Sequence, residues 1–218
     1  MLKCLEIETA PNPIASIIWL HGLGADGYDF EPIVPELNLP ASLAVRFIFP
    51  HAPQMPVTVN GGFMMPAWYD IKANNIEGRQ DKAGIAASNT AIQALINREK
   101  ERGINADHII LAGFSQGGAM ALYVGTHQQE ALAGILALSC YTLLPDDAPS
   151  QVAKATPILQ MHGTQDEIVP IVLGQASQTF LSQHGFDVSY QTYTMAHSLC
   201  PPQIKAIGQW LTAHLNES

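Results

Sequence analysis

The 218 residues are 47% apolar and 13% charged, which suits one domain with a sizeable core and argues against disorder. A net charge of −9 with only 10 basic residues, none of them clustered, argues against nucleic acid as a partner and against electrostatic docking to an anionic membrane. Three scattered cysteines (Cys4, Cys140 and Cys200) fit neither a disulfide framework nor a zinc site; with no signal peptide or bilayer-spanning run read from the chain, a cytoplasmic protein without integral membrane association is expected.

In chain order, Leu2 to Glu8 alternates apolar and polar residues and reads as an edge strand. Ile14 to Leu20 is a continuous apolar run, expected as a buried strand. The loop His21-Gly22-Leu23-Gly24-Ala25-Asp26-Gly27 follows, then a short helix near Asp29 to Leu37 and a strand from Ala44 to Phe49. Pro50 to Gln80 carries several prolines, Gly61-Gly62 and an apolar stretch from Phe63 to Tyr69. It is expected to be irregular, and so long a loop inside a compact domain usually serves a function. Asp81 is the expected cap of a helix to about Arg102, with Ile85, Ala86, Ile92, Leu95 and Ile96 near helical spacing and Gly103 as its stop.

Ile109 to Ala112 reads as a buried strand and Ala119 to Val124 as the start of a helix. Leu132 to Leu138 is another buried strand, Ser139 to Lys154 a loop, and Pro157 to Met161 a strand that ends in His162-Gly163-Thr164-Gln165-Asp166. Val169 or Pro170 opens a helix that ends near His184-Gly185, and Asp187 to Thr194 is the last strand. His197 lies in the loop after it, and Pro201-Pro202 opens a final helix to about Leu215. Strands alternating with helices imply an α/β protein with a mostly parallel central sheet covered on both faces. No repeat or linker divides the chain, so residues 1–218 are expected to form a single domain.

Between the strand at Ile109 and the helix at Ala119, Ser115 has Gly113 and Gly117 two places to either side. This G-x-S-x-G in a strand–turn–helix context is the nucleophile-elbow pattern, which lifts a serine to the carboxyl end of the sheet. The plainer reading is a glycine-rich turn with a surface serine. A serine nucleophile needs a base, and the base an orienting acid. The chain order serine, acid, histidine, each after a later strand, selects Asp166 and His197. Glu167 is the neighbouring rival to Asp166, with Asp146 and Asp147 as runners-up. Among the other histidines, His108 lies at the wrong end of the sheet, and His127, His184 and His214 fall in or beside helices. His51, His21 and His162 each follow a strand, and the last two start glycine turns where loop hydrogen bonds are expected. For the oxyanion of an acyl-transfer intermediate, the backbone N–H of Gln116 is one expected donor and that of Leu23, in the early glycine loop, the other. Gly22, Gly24 and Gly27 match a dinucleotide fingerprint in spacing, but the acidic residue it needs about twenty positions later is missing. No cofactor and no metal is expected, since the spacings that bind them are absent.

Several stretches together resemble the phospholipase/carboxylesterase family, the small carboxylesterases and acyl-protein thioesterases. They are His21-Gly22-Leu23-Gly24, Phe49-Pro50-His51-Ala52-Pro53, Met65-Pro66-Ala67-Trp68-Tyr69-Asp70, Gly113-Phe114-Ser115-Gln116-Gly117-Gly118, His162 to Pro170, and Ala196-His197. The resemblance spans nearly the whole chain. It implies an α/β-hydrolase fold without a large lid domain. It implies hydrolysis of short- to medium-chain acyl esters through an acyl-enzyme and, in some members, of lysophospholipids or acyl thioesters. Motif by motif it gives Ser115, Asp166 and His197 as triad and Leu23 and Gln116 as oxyanion donors. Ala25 stands where eukaryotic thioesterase members carry an aspartate, with Asp26 one place later, which is similar to the bacterial esterases. The family places a loop over the site, so Phe63, Met64, Met65 and Trp68 are expected to wall an acyl groove with Leu23 and Val169; the alternative for Trp68 and Tyr69 is that they anchor the loop to the core. The same exposed apolar residues are the candidates for a homodimer contact. The competing readings are a non-catalytic hydrolase-fold protein that binds an acyl ligand or partner, and a serine peptidase, for which no domain selecting peptide ends is present.

Overall fold

The computed structural model describes residues 1–72, 80–143 and 148–216. The chain builds a seven-stranded sheet in the order β1-β3-β2-β6-β7-β8-β9. Its strands are β1 (Cys4–Glu8), β2 (Ala15–Leu20), β3 (Val45–Pro50), β6 (Ile109–Phe114), β7 (Gly134–Leu138), β8 (Ile158–Gly163) and β9 (Val188–Tyr193). Within this sheet only the edge strand β1 runs antiparallel, along its neighbour β3; its other pairings are parallel. Helices α1 (Ile33–Glu36), α2 (Lys82–Glu101), α3 (Gln116–Thr126), α4 (Ile171–Gln183) and α5 (Pro201–Leu215) connect or cover them. This is the mostly parallel, covered sheet expected from the alternation of strands and helices, and the α/β-hydrolase arrangement that the family resemblance implies.

The sequence patterns follow from burial. Every residue of β2, β7 and β8 is buried, because a strand inside a sheet covered on both sides has no wet face. Alternate side chains feed two cores. Ile18, Leu20, Ile48 and Leu111 pack against Ile92 and Leu95 of α2 and Met120 of α3. Ile17, Trp19, Phe47 and Ile110 pack against Ile33 of α1 and Ile207 and Leu211 of α5. The edge strands β1 and β9 alternate between more and less buried residues instead. No helix among the described residues is long and apolar enough to cross a membrane.

Two expectations are corrected. The segment after β3 is not irregular throughout: β4 (Gln54–Val57) and β5 (Phe63–Pro66) form an antiparallel hairpin around a 3-10 turn at Thr58–Asn60, and residues 73–79 lie outside the described residues. Asp81 stands just before α2 as expected, its carboxylate taking the Gly84 N–H of the first turn. It accepts the Asp70 N–H at 3.0 Å and pairs with Lys72 at 3.3 Å, tying the hairpin's return to the helix start. The first helix is shorter than expected, a single turn at Ile33–Glu36. Asp146 and Asp147 lie outside the described residues.

Candidate active site

The site forms at the carboxyl ends of β2, β6, β8 and β9, where the loops of a parallel sheet converge. Ser115 sits between β6 and α3 with φ 54° and ψ −121°, a strained conformation for a residue with a Cβ. Its N–H is held by the Leu138 carbonyl at 2.9 Å. Gly117 is required by close approach, because a Cβ there would strike the Leu20 and His21 carbonyl oxygens. The first turn of α3 therefore rests directly on the end of β2, and Ser115 is wedged up beside the loop that follows β2.

Asp166 and His197 meet as the chain order requires. His197 Nδ1 lies 2.7 Å from Asp166 Oδ2, with both side chains largely buried. Asp166 Oδ1 accepts the N–H groups of Ile168 at 3.0 Å and Val169 at 2.8 Å. The carboxylate is an acceptor, so the Nδ1–H of His197 donates and its Nε2 is left as the free base. Phe114 packs on the imidazole with ring centroids 4.6 Å apart. Ser115 and His197 both line one cavity of about 690 Å³, together with Leu23, Gln116 and Val169.

The two candidate oxyanion donors are held by a buried network. Gln116 is the first residue of α3, so its N–H is one of the unpaired donors at a helix start. Its side chain accepts the Trp68 N–H at 2.9 Å and donates to the Tyr69 carbonyl at 2.7 Å. Trp68 Nε1–H donates to the His21 carbonyl at 2.9 Å. The Ala52 N–H donates to His21 Nε2 at 3.1 Å, which fixes the proton of the neutral ring on Nδ1, 2.8 Å from the Gly22 carbonyl. Burial holds the His21 pKa below its ordinary value. The loop His21–Gly24 thus hangs from the core through four hydrogen-bonded residues. Among the described residues no group of His, Cys, Asp and Glu gathers to hold a metal ion.

The proposed groove wall is redrawn. Trp68 has no exposed surface and serves the network just described, so it cannot wall a groove. Phe63 and Met64 are 74% and 62% exposed on β5 and do not line the cavity. Met65 comes closer, its Sδ accepting from the Asn60 amide at 3.2 Å and lying beside Gly24. Val169 lines the cavity as expected. The remaining walls are Val59, Asn60, Ile71, Tyr141, Ile168 and Leu173. Leu173 was within reach of a periodicity argument, one helical turn beyond Val169. Val59 and Ile71 were not, since they meet only because the hairpin folds back and the Val59 N–H finds the Ile71 carbonyl at 3.0 Å.

The model of the family described as Phospholipase/Carboxylesterase matches residues 2–215. The chain is 40% identical over 223 residues to acyl-protein thioesterase 1 of Neurospora crassa, covering 97% of this chain and 91% of that protein. It is 36% identical to acyl-protein thioesterase 1 of Gibberella zeae, covering 97% and 95%. Among solved structures, Arabidopsis thaliana SOBER1 is similar with a TM-score of 0.86 at 31% identity, over 92% of this chain and 99% of that one. Zea mays acyl-protein thioesterase 2 is similar with a TM-score of 0.84 at 27% identity, over 99% and 100%.

Proposed function

The chain belongs to the phospholipase/carboxylesterase family, and from that premise we propose that it is a serine hydrolase of acyl esters and thioesters in which Ser115, His197 and Asp166 form the triad. The observation that carries this reading is the Asp166–His197 hydrogen bond beside the strained Ser115, on a shared apolar cavity. His197 Nε2 takes the hydroxyl proton as Ser115 Oγ attacks the acyl carbonyl carbon. The carbonyl π electrons move onto oxygen, which the N–H groups of Leu23 and Gln116 receive. As the tetrahedral intermediate collapses, the bond to the alcohol or thiol breaks and His197 returns the proton to it. Water then attacks the acyl-serine by the same route and releases the acid. Asp166 keeps the imidazole aimed and stabilises its cationic form.

The apolar walls at Val59, Ile71, Val169 and Leu173 support an acyl chain as the group bound. The cavity is of a size that holds a small ligand. Ala25 in place of an aspartate points toward the bacterial esterases, yet 40% identity to a fungal acyl-protein thioesterase supports thioesters as substrates too. Lysophospholipids are a third class in the same chemistry. Residues 1–218 act as one domain in this reading. Three free thiols support a reducing, cytoplasmic setting. Phe63 and Met64 are the residues a homodimer contact would use, and sedimentation of the Phe63→Ser, Met64→Ser double variant beside the wild type checks it.

The deciding experiment is hydrolysis of p-nitrophenyl ester and acyl-thioester series of increasing chain length, wild type beside Ser115→Ala. Ser115→Ala is expected to lose about 10⁴- to 10⁶-fold in turnover, the scale of nucleophile deletion in a triad. An unchanged rate would overturn the mechanism.

A further inference from the structure

A second histidine shares the buried carboxylate. His162, the penultimate residue of β8, has no exposed surface. Its Nε2 lies 2.8 Å from the Val169 carbonyl and 3.6 Å from Asp166 Oδ2. A carbonyl only accepts, so Nε2 carries the proton and donates. Val169 is thereby gripped at both ends of its backbone. Its carbonyl takes the His162 N–H, while its own N–H goes to Asp166 Oδ1.

The other ring nitrogen, Nδ1, is buried and has no hydrogen-bond partner, and so is the Tyr190 hydroxyl on β9. Both atoms lie against Gly174 of α4: a Cβ there would sit 2.5 Å from Nδ1 and 2.9 Å from the hydroxyl. The ring is therefore clamped between the backbone of α4 and the Asp166 turn, with a hydroxyl donor on its Nδ1 side.

We infer that His162 is a positioning residue for the hydrolytic reaction, its Nε2–H holding the Val169 carbonyl and, through it, the 166–169 turn and the Asp166 carboxylate in the aim His197 needs. Two histidines then serve one carboxylate in different ways. His197 exchanges a proton at each step, whereas the Nε2–H of His162 stays on the Val169 carbonyl. The titratable groups around the ring are Asp166 and His197 from the loops after β8 and β9, Tyr190 on β9 and, beyond it, Cys140 after β7. Burial pushes the Tyr190 hydroxyl up to about 12 and the Cys140 thiol up as well, so both remain neutral.

This inference rests on the triad proposed above, so its test has an arm independent of turnover. In the wild type, the ¹⁵N spectrum of the His162 ring is expected to show the proton on Nε2, where the Val169 carbonyl accepts it. An Nδ1–H tautomer overturns the inference whatever Ser115→Ala does. In kinetics normalised by active-site titration, His162→Leu is expected to lower kcat per site about 10- to 100-fold, the scale seen for groups that orient a functional ligand. KM should stay within about 2-fold, and the low-field proton signal of His197 Nδ1–H should broaden or vanish. His162→Gln, whose amide can still donate to the Val169 carbonyl, is expected to restore the proton signal and most of kcat. A merely structural role would lower the titratable fraction and leave each site's kcat and proton signal unchanged. That outcome, or His162→Gln no better than His162→Leu, overturns it.

Discussion

The two ends of the sheet each bury a carboxylate, and they neutralise it differently. At the amino ends of the strands, Glu99 of α2 has no exposed surface. Its Oε2 accepts from Ser16 Oγ and Arg46 NH1, each at 2.7 Å, and its Oε1 accepts from Arg102 NH1 at 3.1 Å. Arg46 and Arg102 reach on to Glu8 and Glu6, so α2, β1, β2 and β3 are tied through one ionic cluster. At the carboxyl ends, Asp166 is bonded by two backbone N–H groups and His197, with His162 Nε2 3.6 Å away, and no arginine or lysine is bonded to it among the described residues. Arginine does not give up its charge in a protein, so the Glu99 cluster is balanced at all times. Asp166 is balanced by a full charge only while His197 holds a proton. In the proposed mechanism that deficit is what makes the second end reactive. The first end stores the same interaction as stability.

The largest effect expected from this contrast is on Asp166. Asp166→Asn removes the charge while keeping the shape, and the amide can turn an N–H toward His197, favouring the wrong tautomer. A loss of about 10³- to 10⁴-fold in kcat is expected, with little change in the unfolding midpoint. Steady-state rates on a p-nitrophenyl ester, beside urea unfolding, check both halves. At the other end the signs exchange. Glu99→Leu leaves Arg46 without its buried partner and should cost about 3–5 kcal/mol of stability, read from urea titrations. The kcat per titrated site should remain at the wild-type value. A comparable stability loss in Asp166→Asn, or a kcat loss in Glu99→Leu, would break the division between the two ends.

These two ends were unequally legible in the sequence. The elbow around Ser115, Asp166 and His197 could be read because each residue follows a buried strand, and strand order alone sets which loops meet. The parallel strands were legible for the same reason, since burial on both faces writes an unbroken apolar run such as Ile14 to Leu20. The Glu99 cluster left no signal, because Ser16, Arg46 and Glu99 are joined only by tertiary packing over 83 residues of chain. The hairpin hid behind its prolines, Pro56 and Pro66, which suit a two-stranded edge where ladder donors are few. For Trp68 the sequence left groove wall and core anchor open, because an aromatic beside methionines looks like a ligand surface. Its indole N–H instead found the His21 carbonyl, a partner 47 residues away.

The smallest expected effect concerns His21, which sharpens the comparison from inside the reactive end. Its ring is as fixed as the arginines opposite, but as a neutral group. The fold binds the deprotonated form, because Ala52 N–H occupies Nε2. Burial accordingly lowers its pKa from the ordinary 6.5. The unfolded chain therefore binds the proton more tightly, and stability must fall as the pH falls. The contribution of His21 is fully present above about pH 6.5, the ordinary histidine value, and is lost as the pH drops from there through the depressed folded value. His21→Ala should cost about 1–3 kcal/mol at pH 8, the scale of breaking buried hydrogen bonds. The gap between His21→Ala and wild type should narrow on acidification, measured by urea unfolding across the range. Arg46 gives the opposite control, since its charge is present throughout and the cost of Arg46→Met should not converge in that window. If the His21→Ala gap stayed constant with pH, the ring would not be the neutral acceptor that holds Ala52, and the early glycine loop would owe its position to other bonds, such as Trp68 Nε1–H to the His21 carbonyl and the Gly24 N–H to the Pro66 carbonyl.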